Sequence, residues 1–124
     1  MTAPINLGPT IINLLVTRRT DNPLRFWIYE DGAAADLTGD VLTFVAKDVP
    51  GGTLKLNVAC TLEDQTGALK GQATVTLPEA QLRDTGTPND SVISTVEWSY
   101  EIRRTHAGLK SVPIKGSLTL GPTI

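Results

Sequence analysis

The chain has 124 residues, enough for one hydrophobic core and too few for two ordinary domains. Eleven basic against thirteen acidic side chains give a net charge of −2 with no block of like charge, which argues against strong electrostatic capture of nucleic acid or anionic membrane. The single cysteine, Cys60, cannot close an intrachain disulfide, the N-terminus lacks the order of a secretory signal, and no apolar run approaches the roughly 20 residues of a membrane helix, so a product made in a reducing cytoplasm is expected.

Eleven glycines and eight prolines lie between short runs dense in Val, Thr, Leu and Ile, the composition of many short strands joined by turns. Residues 1–9 have two prolines and no consistent period and read as an arm, whose Ile5 and Leu7 suit either packing along the domain edge or docking onto a neighbouring subunit by strand addition. A domain spanning residues 10–124 follows. Thr10 to Arg18 reads as the first strand, and Thr20-Asp-Asn-Pro23 as a turn in which Asp21 or Asn22 can bond its own backbone.

The run Pro23-Leu-Arg-Phe-Trp-Ile-Tyr-Glu-Asp-Gly32 places Phe26 and Ile28 on one face of a strand and Trp27 and Tyr29 on the other, so both faces are apolar. Burial beneath the arm is the first expectation for Trp27 and Tyr29, followed by subunit contact and by stacking on a sugar. After a small-residue connection, Asp36-Leu-Thr-Gly39 forms a corner, and Val41 to Lys47 alternates with Leu42, Phe44 and Ala46 inward. Asp48-Val-Pro-Gly-Gly52 breaks the chain. A strand is then expected over Thr53 to Leu62, with Leu54, Leu56, Val58 and Cys60 on one face and Cys60 a small core residue.

Glu63 to Gly67 is a turn, and Leu69 to Leu77 a strand with Ala73, Val75 and Leu77 inward. Pro78-Glu-Ala-Gln-Leu82 suits a single helical turn between two sheets, with Leu82 capping the core. The stretch from Arg83 to Ser91 is polar and irregular, and its Asp84, Asn89 and Asp90 lack the spacing of a calcium-binding EF-hand loop. Thr95 to Arg103 has the cleanest alternation, with Val96, Trp98, Tyr100 and Ile102 inward. Arg104 to Gly108 reads as a hairpin connection, and Val112 to Leu120 as the last strand. The sum is an all-β, antiparallel β-sandwich of about seven to nine strands with one short helical turn; the resemblance below makes it immunoglobulin-like.

Several of these segments together resemble a family. Arg19-Thr-Asp-Asn-Pro-Leu-Arg-Phe26, Glu30-Asp-Gly32, the Asp36-Leu-Thr-Gly39 corner, Ala73-Thr-Val-Thr-Leu77, Glu79-Ala-Gln-Leu82 and Trp98-Ser-Tyr-Glu-Ile102 are similar to the small immunoglobulin-like domains of tailed-bacteriophage virions, found in baseplate upper proteins and in components that attach tail fibres. The chain departs from that pattern in the insert from Arg83 to Ile93 and at Arg19, where a glycine is common. The resemblance implies a non-enzymatic structural part of a virion tail or baseplate, made in the host cytoplasm. It would work by contact with other virion proteins in a symmetric multi-copy assembly, without nucleic acid or membrane.

Motifs for chemistry are missing. The lone His106 sits in a turn without a second histidine or a cysteine beside it, no Gly-x-Ser-x-Gly elbow is present, and Gly51-Gly52 lacks the lysine and following helix of a phosphate loop. The carboxylate pairs Glu30/Asp31 and Glu63/Asp64 diverge at turns. Two basic pairs, Arg18-Arg19 and Arg103-Arg104, read either as solvated strand ends or as a patch for phosphate or an acidic partner. No catalytic, cofactor or metal residue is therefore assigned. The candidate partner contacts are Ile5, Leu7, Trp27, Tyr29, Arg83, Asp84, Asn89 and Asp90, and the rival reading is a carbohydrate-binding module that uses Trp27 and Tyr29 on a host glycan.

Overall fold

The computed structural model describes residues 10–17, 20–82 and 96–121. The segments are β1 (Thr10–Ile11), β2 (Leu14–Thr17), β3 (Asn22–Trp27), β4 (Tyr29–Glu30), β5 (Ala33–Ala34), β6 (Val41–Lys47), β7 (Leu54–Ala59), β8 (Thr61–Leu62), β9 (Gln72–Leu77), a 3-10 turn (Glu79–Gln81), β10 (Val96–His106) and β11 (Leu109–Gly121). One sheet has the order β1-β11-β10-β6-β7, with β2 also on β11; the other is β3-β9-β8, and β4-β5 is a small hairpin of its own. The fold is an all-β sandwich. Eleven strand segments are described, because three expected strands are each divided and the small-residue connection before Asp36 contributes β5.

The core follows from alternation. Leu42, Phe44 and Ala46 of β6, Trp98, Tyr100 and Ile102 of β10, and Ile114, Leu118 and Leu120 of β11 are buried from the larger sheet; Phe26, Ala73, Val75 and Leu77 are buried from the smaller one. Phe44 joins the two layers, since its ring lies 5.0 Å from Tyr100 in a stacked arrangement and 6.2 Å from Phe26 across the interior. Leu82, just past the 3-10 turn, is fully buried, and the turn leaves β9 of the smaller sheet.

Two of these divisions, in the first strand and in Thr53 to Leu62, have plain physical reasons. The stretch Thr53 to Leu62 breaks at Cys60: β7 pairs with β6 in the larger sheet, whereas β8 pairs with β9 in the smaller. Cys60 is the crossing point, half-buried as the core reading expected, its N–H given to Leu42 O. A bulge at Ala46/Lys47 then pairs Lys47 with Leu54, which turns Leu54 out to 51% exposure instead of into the core.

The first strand is interrupted at Ile12 and Asn13, and both of its halves run parallel to β11, so the larger sheet is not wholly antiparallel. Here Tyr100 donates its hydroxyl to Ile12 O at 2.6 Å and Asn13 Oδ1 accepts Ser117 N–H, which replaces the lost ladder bonds. Only glycine fits opposite the break, because a Cβ on Gly116 would lie 2.1 Å from Ile12 O.

The β10–β11 hairpin closes on Ala107 and Gly108, both at positive φ, the geometry of a tight two-residue turn. Strand β10 therefore runs three residues beyond the expected Arg103, and the intended connection at Arg104 is strand.

Gly116→Ala is expected to lower stability by ~1–3 kcal/mol, through forced movement of the Ile12 carbonyl. A urea titration followed by far-UV circular dichroism checks this.

Candidate functional site

The exposed aromatic pair is positioned by the residue between its members. Ile28 is buried, its N–H donated to Gly71 O and its carbonyl accepting Ala35 N–H. Gly71 is at positive φ, and a Cβ there would meet Ile28 O at 2.8 Å, so the clamp requires glycine. With Phe26 and Ile28 held inward, alternation sends Trp27 and Tyr29 outward, at 51% and 62% exposure. The expected burial of this pair is corrected: the sandwich covers one face of the run and leaves the other open.

Trp27 and Tyr29 stand over a groove of about 370 Å³ between the two sheets. Ile12, Leu14, Pro113 and the buried Phe26 and Ile28 line it as well. At its lip Arg25 donates to Gln72 Oε1 and lies 3.7 Å from Glu63. The groove is mostly apolar, and Ile12, at the break between β1 and β2, is among the residues that line it.

A polar cluster adjoins it. The inward parity of β10 continues past Ile102 to Arg104, and that of β6 extends back to Asp40, so two polar residues are buried at one end of the sandwich with the exposed His106 beside them. Arg104 donates Nε to Asp40 Oδ2 at 2.7 Å and NH1 to Glu30, and His106 Nδ1 lies 2.6 Å from Asp40 Oδ1. The side chains of Arg104 and Asp40 are only 6% and 2% exposed. Burial works against the guanidinium charge, but the bonds to Glu30 and Asp40 outweigh it and hold the Arg104 pKa above its ordinary value. Because Glu30 belongs to β4, this pair ties the hairpin that carries Tyr29 to the larger sheet.

The cluster revises one reading. Arg103 and Arg104 cannot form one basic patch, since successive strand residues face opposite ways: Arg103 pairs with Glu101 on the outer face, while Arg104 is committed to two carboxylates. Glu30 is engaged by Arg104, apart from Asp31, as the divergence of that pair at a turn implied. His106 is exposed, as expected, but bonded to a buried carboxylate. The sequence signal for this cluster was the continuing parity of Ile102, Arg104 and His106.

The Asp36 corner is held by its own hydrogen bonds. Thr38 donates its hydroxyl and N–H to Asp36, which keeps that carboxyl below its usual range, and Asp64 is held likewise by Thr66. Gln65 links the two loops by accepting the N–H of Leu37 and of Gly71. The same side chain thus steadies both the corner before Asp40 and the glycine under Ile28.

Ile5, Leu7, Arg18, Arg19, Arg83, Asp84, Asn89 and Asp90 lie outside the described residues. Among the described residues no group of three His, Cys, Asp or Glu side chains is placed to hold a metal, and no helix is long and apolar enough to cross a membrane. Burial pushes the Cys60 thiol up to about 11, which disfavours the thiolate form that would act as a nucleophile.

No family model and no curated protein matches the chain. Among solved structures it is similar to the N-terminal domain of ORF48 of phage TP901-1, with 11% identity and a TM-score of 0.47 over 94% of this chain and 89% of that one. A likeness at that level carries no argument about function.

Two measurements test the site's energetics. Arg104→Met leaves Asp40 buried without its main partner and is expected to cost ~3–5 kcal/mol, read from chemical denaturation. Burial raises the Tyr100 pKa to about 12. The folded state thus holds the phenolic proton more tightly than the unfolded chain, whose tyrosine titrates near ~10. This contribution is complete below the unfolded value and is lost as pH rises through the folded one. In a Tyr29→Phe background, phenolate absorbance is expected to appear near the higher value, or together with unfolding.

Proposed function

We propose that this chain is a non-enzymatic structural component of a tailed-phage virion, an attachment or adaptor domain of the tail, baseplate or fibre that works by protein–protein contact. The observation that carries the contact part is the Trp27–Tyr29 pair, two large aromatics held outward over an apolar groove by a buried, doubly hydrogen-bonded Ile28. Aromatics on rigid backbone, one end apolar and the other wet, are the side chains on which protein interfaces concentrate their binding energy.

Open strand edges support the same reading. Among the described residues β3 pairs only with β9, and β7 only with β6, so each offers a free edge for strand addition. The phage part of the proposal rests on the sequence resemblance of the Asp36-Leu-Thr-Gly39 corner and its companion segments, and several copies on a symmetric ring are its expected setting.

The decisive experiment is mass spectrometry of purified particles of the phage that encodes the chain. The polypeptide is expected in intact virions in multiple copies, and Trp27→Ala is expected to reduce its incorporation about tenfold or more while circular dichroism stays unchanged. Absence of the wild-type chain from particles refutes the proposal. A sugar-dependent signal on a glycan array that Trp27→Ala abolishes would replace it with the carbohydrate-binding reading.

A further inference from the structure

The outer face of the larger sheet is a second broad surface, and it is hollowed rather than flat. We infer that it receives a second copy of this chain, head to tail, with Trp27 of one copy seated among the cations on the sheet of the next. The inference deepens the attachment reading by naming one partner, and it rests on that reading only for its setting.

Register builds the receiving surface. With Phe44 and Ala46 of β6 and Tyr100 and Ile102 of β10 turned inward, their odd-numbered neighbours face out. Pairing then sets Val45, Glu101, Lys115 and Ile11 in one row across the sheet. Lys47 follows Val45, and Arg103 follows Glu101, at ~7 Å along the same face. These six residues line a hollow of about 450 Å³, in which Val45 is buried despite its outward parity. Arg103 is paired with Glu101, but among the described residues Lys47 and Lys115 have no carboxylate partner. Lys110 lines an adjoining hollow with Arg103. The four cations outnumber the acids of this face, Glu97, Glu101 and the neighbouring Asp48.

The complementary surface lies on the opposite side of the sandwich. Trp27 pairs with Gln72, and Glu63 donates its N–H to Gln72 O, so Trp27, Gln72 and Glu63 form one row on the outer face of the smaller sheet. Asp64 follows in the turn, Gln65 ties that turn to the Asp36 corner, and Asp31 ends the hairpin that carries Tyr29. Asp31, Asp36, Glu63 and Asp64 outnumber the cations here, Arg25 and Lys70, while Glu30 is already paired with Arg104.

An apolar residue beside unpaired cations suits an aromatic ring delivered together with carboxylates, because cations are drawn both to the ring face and to the acids. This chain displays that combination itself. Of its six aromatic residues Phe26, Phe44, Trp98 and Tyr100 are buried, which leaves Trp27 and Tyr29 to be offered, and both stand on the acidic side. Either surface paired with itself sets like charges together, whereas joining the two surfaces satisfies both. Such contact is heterologous and closes as a ring or runs on as a filament.

The two tryptophans make the test clean, because Trp27 is half exposed and Trp98 is buried, so collisional quenching of fluorescence reports on Trp27. The full chain is followed by sedimentation velocity and acrylamide quenching across a concentration series, at about 0.05 and about 0.5 M NaCl. Association is expected, with Trp27 becoming protected as it proceeds and severalfold weakening at the higher salt. Lys47→Glu combined with Lys115→Gln spoils the receiving sheet, glutamine sparing Glu101 a second acid opposite it. Trp27→Ala spoils the inserted side. Each variant is expected to weaken association about tenfold or more, with far-UV circular dichroism unchanged. Their equimolar mixture is expected to associate again but to stop at pairs, because each pair has one sound junction.

A chain that stays monomeric at millimolar concentration overturns the inference, as does association that neither salt nor either variant weakens. A mixture no better than its components also overturns it, since like surfaces are then the ones that meet. Presence in virions with a monomeric free chain removes this inference and leaves the attachment function standing; association by a chain absent from particles does the reverse.

Discussion

Phe44 is the contact on which the sandwich depends. It is fully buried, stacks on Tyr100 within its own sheet and meets Phe26 of the opposite sheet. Tyr100 carries the constraint outward, because its hydroxyl holds the carbonyl of Ile12 and thereby shapes the break between β1 and β2. Phe26 carries it the other way, since its inward commitment, with that of Ile28, is what leaves Trp27 and Tyr29 facing solvent. Core packing and surface presentation are therefore one arrangement, and truncating a ring of this size at the centre removes several kcal/mol from both.

The end of the sandwich beside the groove is built differently from its middle. Where aliphatic side chains would otherwise close the layers, Asp40 and Arg104 are buried and paired with each other, with Glu30 and His106 as the outer partners. A buried ion pair of this sort contributes less to net stability than to geometry, because desolvation consumes most of the attraction. Its value here is directional. It fastens the β4–β5 hairpin, and with it Tyr29, to the longest strands of the larger sheet.

Much of the fold was legible wherever one face was buried and the other wet. The alternation of Val96 to Ile102, of Leu42 to Ala46 and of Ala73 to Leu77 names the core directly, and Pro78 marks the 3-10 turn. Alternation is blind to the identity of the partner strand. Nothing in Thr10 to Thr17 distinguishes parallel from antiparallel pairing, and nothing in Thr53 to Leu62 reveals that the chain changes sheets at Cys60. A bulge also inverts the code without changing a letter, as at Leu54. For the site, the two-sided apolar run at Trp27 and Tyr29 was visible, but its exposure depends on what covers it. The Asp40–Arg104 pair was hidden because an arginine at the end of an alternating run reads as a strand ending rather than as a continuation into the interior.

The parallel course of β1 and β2 along β11 also decides how the domain bears load. The described chain enters at Thr10 beside Ile114 and leaves at Gly121 beside Thr17, so the entry and exit lie at opposite ends of the same pair of neighbouring strands. Tension between these points slides the strands past each other along their length. The inter-strand bonds are then strained together in shear, instead of being unzipped one after another.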